Sequence, residues 1–269
     1  MGTKCGACRP GSSRALTIPV SVVIITRNEE ANIERCLSSV RWAAERVVVD
    51  SMSDDRTAEI ARGLGARIIK REWPGYSAQK NFAIEQATQA WVLSLDADEV
   101  VTPELATEIE ETLRVPRHDA YRIFRPTYFM GRPLHHYGRG SEPGHIRVFR
   151  RGAGRFDGRL VHESMRVDGS IGTLQAPILH YSYPTVASYW RKLHLYAPLE
   201  AQERLLHGSP RGGRWVRGIG KFGWMLIVRR GLIDGPHAWV WIAGQAYQEW
   251  LATGEAAKLR RQGAQHVAA

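Results

Sequence analysis

An apolar run that ends in carboxylates is the feature of this sequence that most constrains its fold. Residues Trp91–Leu95 read Trp-Val-Leu-Ser-Leu and lead directly into Asp96-Ala97-Asp98-Glu99. A run of this length and composition predicts a buried strand. Because Asp and Glu are unfavourable in strands and costly to bury unpaired, the acidic residues indicate where the strand leaves the core. Their oxygens suit a hard cation such as Mg²⁺ or Mn²⁺, which could bridge to a nucleotide diphosphate.

The alternative interpretation of these carboxylates is a solvated loop that precedes a helix. Thr102-Pro103-Glu104 follows closely and is a typical helix start, with threonine as the N-cap and proline at the first helical position. An Asp-x-Asp sequence alone does not decide between the two interpretations, so the decision depends on the rest of the chain.

The residues before this segment alternate between strand-like and helix-like patterns. Val20–Ile25 is a continuous apolar run, typical of a strand buried on both faces of a parallel sheet. Val47–Val49 and Ala66–Lys70 are predicted as further strands. Three helices are predicted between the strands: one with Ile33, Leu37 and Val40 on one face and Asn28 as its cap, one from Ser53 or Asp54 to Gly63 or Gly65, and one over Ala78–Ala87.

This alternation predicts an α/β fold with a doubly wound, mostly parallel sheet. In such sheets ligands bind in the crevice at the carboxyl ends of the strands. Polar clusters follow three of the predicted strands, at Thr26–Glu30, Asp50-Ser51 and Asp96–Asp98. We therefore expect the functional site in that crevice.

The middle of the chain is rich in arginine. From Arg114 to Arg159 there are eleven arginines and three acidic residues. Strand-like segments at Tyr121–Arg125, Ile146–Arg150 and Thr173–His180 predict a mixed extension of the sheet, where an acceptor could be held. The alternative is a solvated basic face without a ligand.

The last third of the chain is predicted to be mainly helical. Val186, Leu193 and their neighbours repeat at helical spacing. From Leu205 to Ile233 there are six Lys or Arg residues and no acidic residue, and tryptophans are interleaved. Basic residues with interfacial tryptophans favour a helix that lies on an anionic bilayer. The alternative is a helical cap whose tryptophans pack on the rest of the protein.

Bulk properties limit the class of protein. The chain has 269 residues and a net charge of +10, which favours an acidic partner such as nucleic acid, an anionic membrane or a phosphorylated substrate. Cys5 and Cys8 form a single Cys-x-x-Cys in a Gly/Ser/Arg-rich start, and Cys36 lies on an apolar helix face, so we expect no disulfide framework and a cytoplasmic location. No apolar run reaches the length of a spanning helix, so we expect no membrane crossing.

These patterns predict the division of the chain. Residues 1–17 are expected to be a flexible tail, and residues 18–182 a catalytic domain. Within that domain, 18–113 would form a nucleotide-sugar half and 114–182 an acceptor half. Residues 183–269 are predicted to form a C-terminal helical region, which would lie on a membrane surface if the bilayer interpretation holds.

Several motifs, in this order and spacing, make the chain resemble the inverting glycosyltransferases of family 2, which have the GT-A fold. The resemblance runs from about Val20 to Glu255. The motifs that carry it are Ile25–Glu30, Val48–Thr57, Gln79–Ile84 and Leu95–Glu99. Two more, Phe156–Glu163 and Gly231–Gly235, resemble more narrowly the bacterial lipopolysaccharide core β-glucosyltransferase branch.

The resemblance implies a site for a nucleotide sugar. The residues that match the family's donor-binding positions are Thr26, Arg27, Glu29, Asp50, Ser51, Lys80, Asp96 and Ala97. Glu29 would accept hydrogen bonds from the ribose hydroxyls, Asp50 would read the pyrimidine, and Lys80 would help to hold the diphosphate. The chain departs from the common pattern at Ser51, where the family often has a second Asp.

The resemblance also implies a metal site and a general base. Asp98 would bind Mg²⁺ or Mn²⁺ directly, while Asp96 would contact the ribose or a metal-bound water. His180 would add a ligand, although a single histidine is more often structural. Glu163 would take the proton of the acceptor hydroxyl, and its alternative role is an ion pair with a nearby arginine.

The implied function is transfer of a hexose, glucose in the narrower branch, from a UDP-sugar to a cell-envelope glycolipid or glycan such as lipopolysaccharide core. A sugar-phosphate nucleotidyltransferase would share the fold, but it would carry a Gly-rich phosphate loop where this chain has Thr26–Glu30. A basic nucleic-acid-binding protein would explain the net charge. It would leave the Asp98 cluster without a purpose, because carboxylates repel phosphate unless a metal intervenes.

Overall fold

The fold is described from a computed structural model that covers residues 18–134, 144–161, 163–183, 185–207 and 212–267. The predicted tail, 1–17, with Cys5 and Cys8, lies outside the described residues. The strands are β1 Ile18–Thr26, β2 Ala43–Asp50, β3 Arg67–Lys70, β4 Trp91–Asp96, β5 Glu99–Val101, β6 Ala120–Ile123, β7 Thr127–Phe129, β8 Arg132–Pro133, β9 His145–Arg150, β10 Gly154–Phe156, β11 Met165–Val167, β12 Ile171–Leu174 and β13 Ile178–Tyr183. The helices are α1 Ile33–Ser38, α2 Thr57–Gly63, α3 Tyr76–Glu85, α4 Pro103–Arg114, α5 Val186–His207, α6 Arg214–Gly223 and α7 Pro236–Val267, with a π-helical segment at Trp224–Val228.

Seven strands form the main sheet, in the order β12-β6-β9-β4-β1-β2-β3. Strands β4, β1, β2 and β3 are parallel, while β9 is antiparallel to both of its neighbours. The register sets Thr26 opposite Asp50 and Ile25 opposite Asp96, so the carboxyl ends of β1, β2 and β4 meet at one edge. This architecture confirms the predicted α/β fold with a mostly parallel sheet and a mixed extension.

A second sheet, in the order β5-β13-β7-β8, lies beyond the acidic end of β4. Its strand β13 runs antiparallel to β5, with His180 opposite Glu99. The backbone N–H of Tyr181 donates to the carbonyl oxygen of Asp98 at 2.9 Å. These pairings hold His180 beside the chain that follows β4.

Apolar side chains cover both faces of the main sheet. One cluster includes Ile24, Leu37 and Leu95, and the cluster on the other face includes Val23 and Phe149. Because β1 is buried on both faces, its sequence is a continuous apolar run instead of an alternating one.

Two predicted helix caps are wrong, and one is confirmed. Thr102 accepts a hydrogen bond from the Leu105 N–H and caps α4 as expected. Asn28 is not the cap of α1, because it adopts a left-handed conformation (φ 55°) four residues before the cap position at Asn32. The cap position of α2 is Arg56, and Ser53 instead donates its hydroxyl to Asp50.

The C-terminal part is helical, as predicted. Helices α5 and α6 both pack on the long helix α7, and Phe129, Tyr189 and Trp241 lie in the aromatic core between these helices and the second sheet. Within the described residues, no helix is both long enough and apolar enough to cross a membrane.

Candidate active site

Buried polar side chains meet at the carboxyl ends of β1 and β2, and we call Thr26, Ser51 and Gln79 the polar cluster. The hydroxyl oxygen of Thr26 and the side-chain carbonyl oxygen of Gln79 are buried, and neither has a hydrogen-bond partner in the part of the chain that the structure describes. The other end of the Gln79 amide donates to the hydroxyl of Ser51 at 3.0 Å. Buried polar atoms without a partner are costly and mark a place where a polar ligand would complete the hydrogen bonding.

Asp50 is completely buried beside this polar cluster. Its two carboxylate oxygens accept hydrogen bonds from the hydroxyl and the backbone N–H of Ser53, at 2.5 and 3.1 Å. Ser51, where the family often has a second Asp, is tied to Gln79 instead. The Ser51–Gln79 pair therefore provides polar groups at the position of the missing carboxylate.

Arg27 and Glu29 lie on the turn after β1. Arg27 is exposed, whereas Glu29 is partly buried and accepts a hydrogen bond from the side chain of Asn32 at 2.7 Å. Burial raises the pKa of Glu29, and the nearby carboxylates of Asp98 and Asp55 add to this. Glu29 therefore lies close enough to Asp98 for their charges to interact. We call the place where Glu29, Asp98 and His180 meet the acidic corner.

A line of alternating charges, formed by Asp96, Lys80 and Glu163, joins the end of β4 to the segment after β10. The buried Nζ atom of Lys80 lies 2.9 Å from Asp96 Oδ1 and 2.6 Å from Glu163 Oε1. Burial lowers the pKa of Lys80, but these two carboxylates outweigh it, so the pKa lies above its usual value and the side chain is an ammonium. The alternative prediction for Glu163, a pair with an arginine, differs from the structure, in which Glu163 pairs with Lys80.

Behind this line lies a second layer of buried charge. Glu99 is fully buried and contacts Arg147 at 2.5 Å and Arg125 at 3.0 Å, and the same arginines reach Asp96 at 3.1 and 3.5 Å. Together with Lys80, these arginines balance the three carboxylates Asp96, Glu99 and Glu163. Burial opposes ionisation of Asp96, but Lys80, Arg147 and Arg125 hold its pKa well below the usual value.

Asp98 stands apart from this network, although it follows Asp96 by two residues. Its Oδ2 atom lies 3.3 Å from His180 Nε2 and 3.9 Å from Lys192 Nζ. Burial opposes ionisation of Asp98, but these two neighbours hold its pKa well below the usual value. Burial likewise opposes the charge of Lys192, yet Asp98, Tyr183 and Glu29 raise its pKa.

The structure does not bring the three predicted metal ligands together. In the described part of the chain, no group of three or more His, Cys, Asp and Glu side chains is placed to hold a metal ion. The reason is that Asp96 is turned toward Lys80, Arg125 and Arg147. Asp98 and His180 do fit as neighbouring ligands, because two ligands at about 2.1 Å from one octahedral ion lie about 3 Å apart.

Helix α3 positions this site through consecutive residues. Gln79 belongs to the polar cluster, and Lys80 contacts the carboxylates of Asp96 and Glu163. The side-chain amide of Asn81 donates to the carbonyl oxygen of Phe156 at 3.1 Å and accepts from the Phe156 N–H at 2.8 Å. Because Phe156 ends β10, this two-way bridge fixes the β10–β11 hairpin and Glu163 between its strands relative to α3.

Sequence reasoning missed Lys192, Arg125 and Arg147, and it did not foresee the roles of Glu99 and Gln79. Arg147 lies in β9 among the apolar residues Ile146, Val148 and Phe149, and a charged residue in such a segment is a signal of a buried ion pair. Lys192 gave no comparable signal, because a lysine on an amphipathic helix is usually solvated. Lys192 reaches the site only because α5 crosses the acidic corner.

The mostly parallel sheet, with polar residues at the carboxyl ends of β1, β2 and β4, has the arrangement that the resemblance to the GT-A fold predicted. A family model described as glycosyl transferase family 2 matches residues 21–176, which is more than half of the chain. The chain belongs to this family, and it is a glycosyltransferase. The family match replaces the two alternatives considered from the sequence, a sugar-phosphate nucleotidyltransferase and a basic nucleic-acid-binding protein.

Several known proteins are similar to this chain. LpsC of Rhizobium meliloti (strain 1021), a lipopolysaccharide core biosynthesis glycosyltransferase, is 32% identical over 204 residues, covering 71% of this chain and 74% of LpsC. An uncharacterised glycosyltransferase of Rickettsia typhi is 32% identical over 202 residues, covering 71% of this chain and 69% of that protein. Among solved structures, Staphylococcus aureus TarS (1–349) has 17% identity and a TM-score of 0.48, with 91% of each chain covered.

Proposed function

We propose that this protein is an inverting hexosyltransferase that moves a hexose, glucose by preference, from a UDP-sugar to a cell-envelope glycolipid or glycan such as lipopolysaccharide core. The observation that carries the proposal is the placement of Asp98, with His180 and Lys192, next to the Asp96–Lys80–Glu163 line at the end of β4. In this proposal the group around Asp98 stabilises the leaving diphosphate. Glu163, at the end of the line, takes the proton of the acceptor hydroxyl.

In this proposal residues 18–113 bind the donor. The polar cluster, with the unpartnered oxygens of Thr26 and Gln79, would contact the nucleotide together with Asp50. Glu29 lies near Asp98, at a distance over which their charges interact, and it accepts hydrogen bonds from the ribose. Arg27 is exposed and can reach the nucleotide from the solvent side.

Residues at the acidic corner stabilise the leaving group. Asp98 and His180 would hold the divalent cation, Mg²⁺ or Mn²⁺, which supplies charge neutralisation to the departing nucleoside diphosphate when bound. Lys192 lies 3.9 Å from Asp98 and carries a second positive charge to the same place. Asp96 is ion-paired to Lys80 and the arginines, so we assign it to holding Lys80 and contacting the ribose, with Ala97 as the buried spacer between the two aspartates.

Glu163 acts as the general base. The ammonium of Lys80, 2.6 Å from Oε1, positions this carboxylate next to the end of β4. The acceptor oxygen bonds to the anomeric carbon and its proton passes to Glu163, while the bond from that carbon to the phosphate oxygen breaks. The nucleoside diphosphate leaves with the electron pair of that bond. Attack on the face opposite the leaving group inverts the configuration.

The acceptor side is assigned to residues 114–182. LpsC acts in lipopolysaccharide core biosynthesis, as its name states, and it is similar to this chain over most of both lengths. The arginine-rich composition of 114–159 is compatible with an anionic acceptor. Because a glycolipid acceptor is anchored in a bilayer, the proposed enzyme works at the inner face of the cell membrane.

A nucleotide-sugar screen tests this proposal. Purified protein is incubated with UDP-, GDP-, ADP- and CMP-sugars and a deacylated lipopolysaccharide core, with Mg²⁺, Mn²⁺ or EDTA, and nucleotide release is followed. We expect release from UDP-hexoses that depends on acceptor and cation and is lost in Asp98→Asn. Release from a different nucleotide class would overturn the donor assignment, and undiminished release in EDTA would overturn the cation assignment.

A further inference from the structure

Ten large apolar side chains project into solvent between the start of α6 and the first turns of α7. They are Trp215, Val216, Ile219, Phe222, Trp224, Ile227, Val228, Leu232, Ile233 and Trp239, and we call them the apolar face. Val216, Ile219 and Ile227 are each about 70% exposed, at 71, 68 and 72%. A patch of this size is rare on a protein that meets only water, so it indicates a surface that is covered in function.

The orientation of α6 is fixed by its opposite side. Gly218 packs so closely on α7 that a Cβ atom there would lie 3.3 Å from the carbonyl oxygen of Ala246. Arg217 forms an ion pair with Glu249 of α7, and Lys221 lies 4.0 Å from the same carboxylate. The polar side of this amphipathic helix is therefore turned inward, and its apolar side is held outward. A helix on a water-exposed surface has the reverse arrangement.

The charge of the segment that carries the apolar face, 214–239, is mainly positive. It contains Arg214, Arg217, Lys221, Arg229 and Arg230, of which Arg217 and Lys221 face Glu249, and one acidic residue, Asp234. Arg214 and Arg230 are exposed, and the Arg214 guanidinium lies 4.3 Å from the ring centre of Trp250. Arg229 lies 4.8 Å from the ring centre of Trp224. Arginines beside partly exposed tryptophans are typical of the boundary between a bilayer and water.

We propose that the apolar face is a membrane-docking surface that inserts into the headgroup region of an anionic phospholipid bilayer. The apolar side chains would lie among the upper acyl chains, and Arg214, Arg229 and Arg230 would contact lipid phosphates. A second copy of this chain fits less well, because a two-fold contact would set the same arginines against each other. The inference does not depend on the sugar-transfer proposal, since it concerns no residue of the site.

Vesicle sedimentation tests the proposal on the full chain. Wild type is mixed with vesicles of phosphatidylglycerol and phosphatidylcholine, or of phosphatidylcholine alone, at low and at high salt. The test variant Ile219→Glu/Ile227→Glu changes two exposed side chains, so folding is expected to be intact by circular dichroism. The control Val115→Glu introduces the same chemistry at a 77% exposed position at the end of α4. The variant Arg214→Gln/Arg230→Gln tests the charge alone.

We expect wild type and Val115→Glu to bind phosphatidylglycerol vesicles in a salt-sensitive way. The isoleucine variant should lose about a hundredfold in partition coefficient, and the arginine variant about fivefold per residue with a weaker salt dependence. Equal binding by wild type and the isoleucine variant would overturn the proposal. So would an absence of binding at low salt, or a wild-type dimer in sedimentation velocity that the isoleucine variant dissociates, which would assign the face to a second copy.

Discussion

The ammonium of Lys80 lies 2.6 Å from a carboxylate oxygen of Glu163, although the two residues are 83 positions apart in the sequence. The same ammonium lies 2.9 Å from Asp96, at the end of β4. One buried lysine therefore connects the donor end of the sheet to the residue that we assign as the base. The contact holds the carboxylate of Glu163 in a fixed position relative to the end of β4.

Glu163→Gln should abolish most turnover while leaving donor binding intact. The amide keeps the size of the side chain but cannot accept the acceptor's proton, so kcat should fall about 10²- to 10⁴-fold. Nucleotide release gives kcat, and calorimetry with UDP gives donor affinity, which should change less than about twofold. Glu85→Gln, an exposed position on α3, is the matched control. Wild-type turnover in Glu163→Gln would reassign the base.

Asp98→Asn should remove cation binding as well as activity. The amide oxygen is a weaker ligand than the carboxylate, so Mn²⁺ affinity in the presence of UDP, measured by electron paramagnetic resonance, should fall. Turnover should drop about 10³-fold, because the leaving group loses its counter-charge. Asp54→Asn, on an exposed turn, is the control. Retention of Mn²⁺ affinity by Asp98→Asn would remove this residue from the metal site.

Lys192→Gln should lower kcat more than it changes KM. Lys192 is placed to act on charge that develops only as the sugar–phosphate bond breaks, so its loss should cost about tenfold or more in kcat. Lys192→Arg should recover part of the loss, because it restores the charge. The neighbouring Arg191→Gln, at an exposed position on α5, should behave as wild type. A change in KM alone would show that Lys192 only binds the donor.

Glu99→Gln should destabilise the fold. Glu99 is fully buried between Arg125 and Arg147, and its removal leaves a buried excess of positive charge. The free energy of unfolding, measured in urea, should fall by about 3–5 kcal/mol. Adding Arg125→Gln restores the charge balance and should recover part of that loss. A Glu99→Gln protein as stable as wild type would show that the network relaxes without cost.

Glu45→Gln should destabilise the protein at pH 7 and have no effect in acid. Burial opposes ionisation of Glu45, but hydrogen bonds from Ser21, Thr88 and Arg67 outweigh it and lower the pKa of Glu45. A lowered folded pKa contributes stability above the unfolded value of 4.5, and this contribution is lost as pH falls through the folded pKa.

The measurement is urea unfolding of both proteins between pH 7 and pH 3. The difference in free energy should be about 1–2 kcal/mol at pH 7 and should shrink below pH 4.5 toward zero. A difference that stays constant over this range would show that Glu45 has the same pKa in the folded and unfolded states.

Local pattern was enough to predict the elements that carry the site. Val20–Ile25 and Trp91–Leu95 are apolar because each strand is buried on both faces, and that property is visible in a short window. The acidic end of β4 was likewise a local signal. These strands lie where the sequence indicated, with Asp96 near the end of β1.

Features set by distant partners could not be predicted in this way. Asn28 has a good capping side chain, yet its amide oxygen accepts from the N–H of Asp54, 26 residues away. Asp96 was expected to contact the ribose or a metal-bound water and was counted with the metal ligands. Arg125 and Arg147, which lie later in the chain, form ion pairs with it instead. The position of Lys192 depends on the path of α5, which the sequence pattern alone does not specify.

The amide of Asn81 ties the end of β10 to α3 with one donated and one accepted hydrogen bond. A chimera that exchanged the hairpin from Gly154 to Val167 between relatives would keep this bond pair whatever the hairpin's side chains, since Asn81 reads only its backbone. Evolution could therefore vary the other side chains of that loop, provided that position 81 stayed an asparagine and position 163 kept the carboxylate that pairs with Lys80.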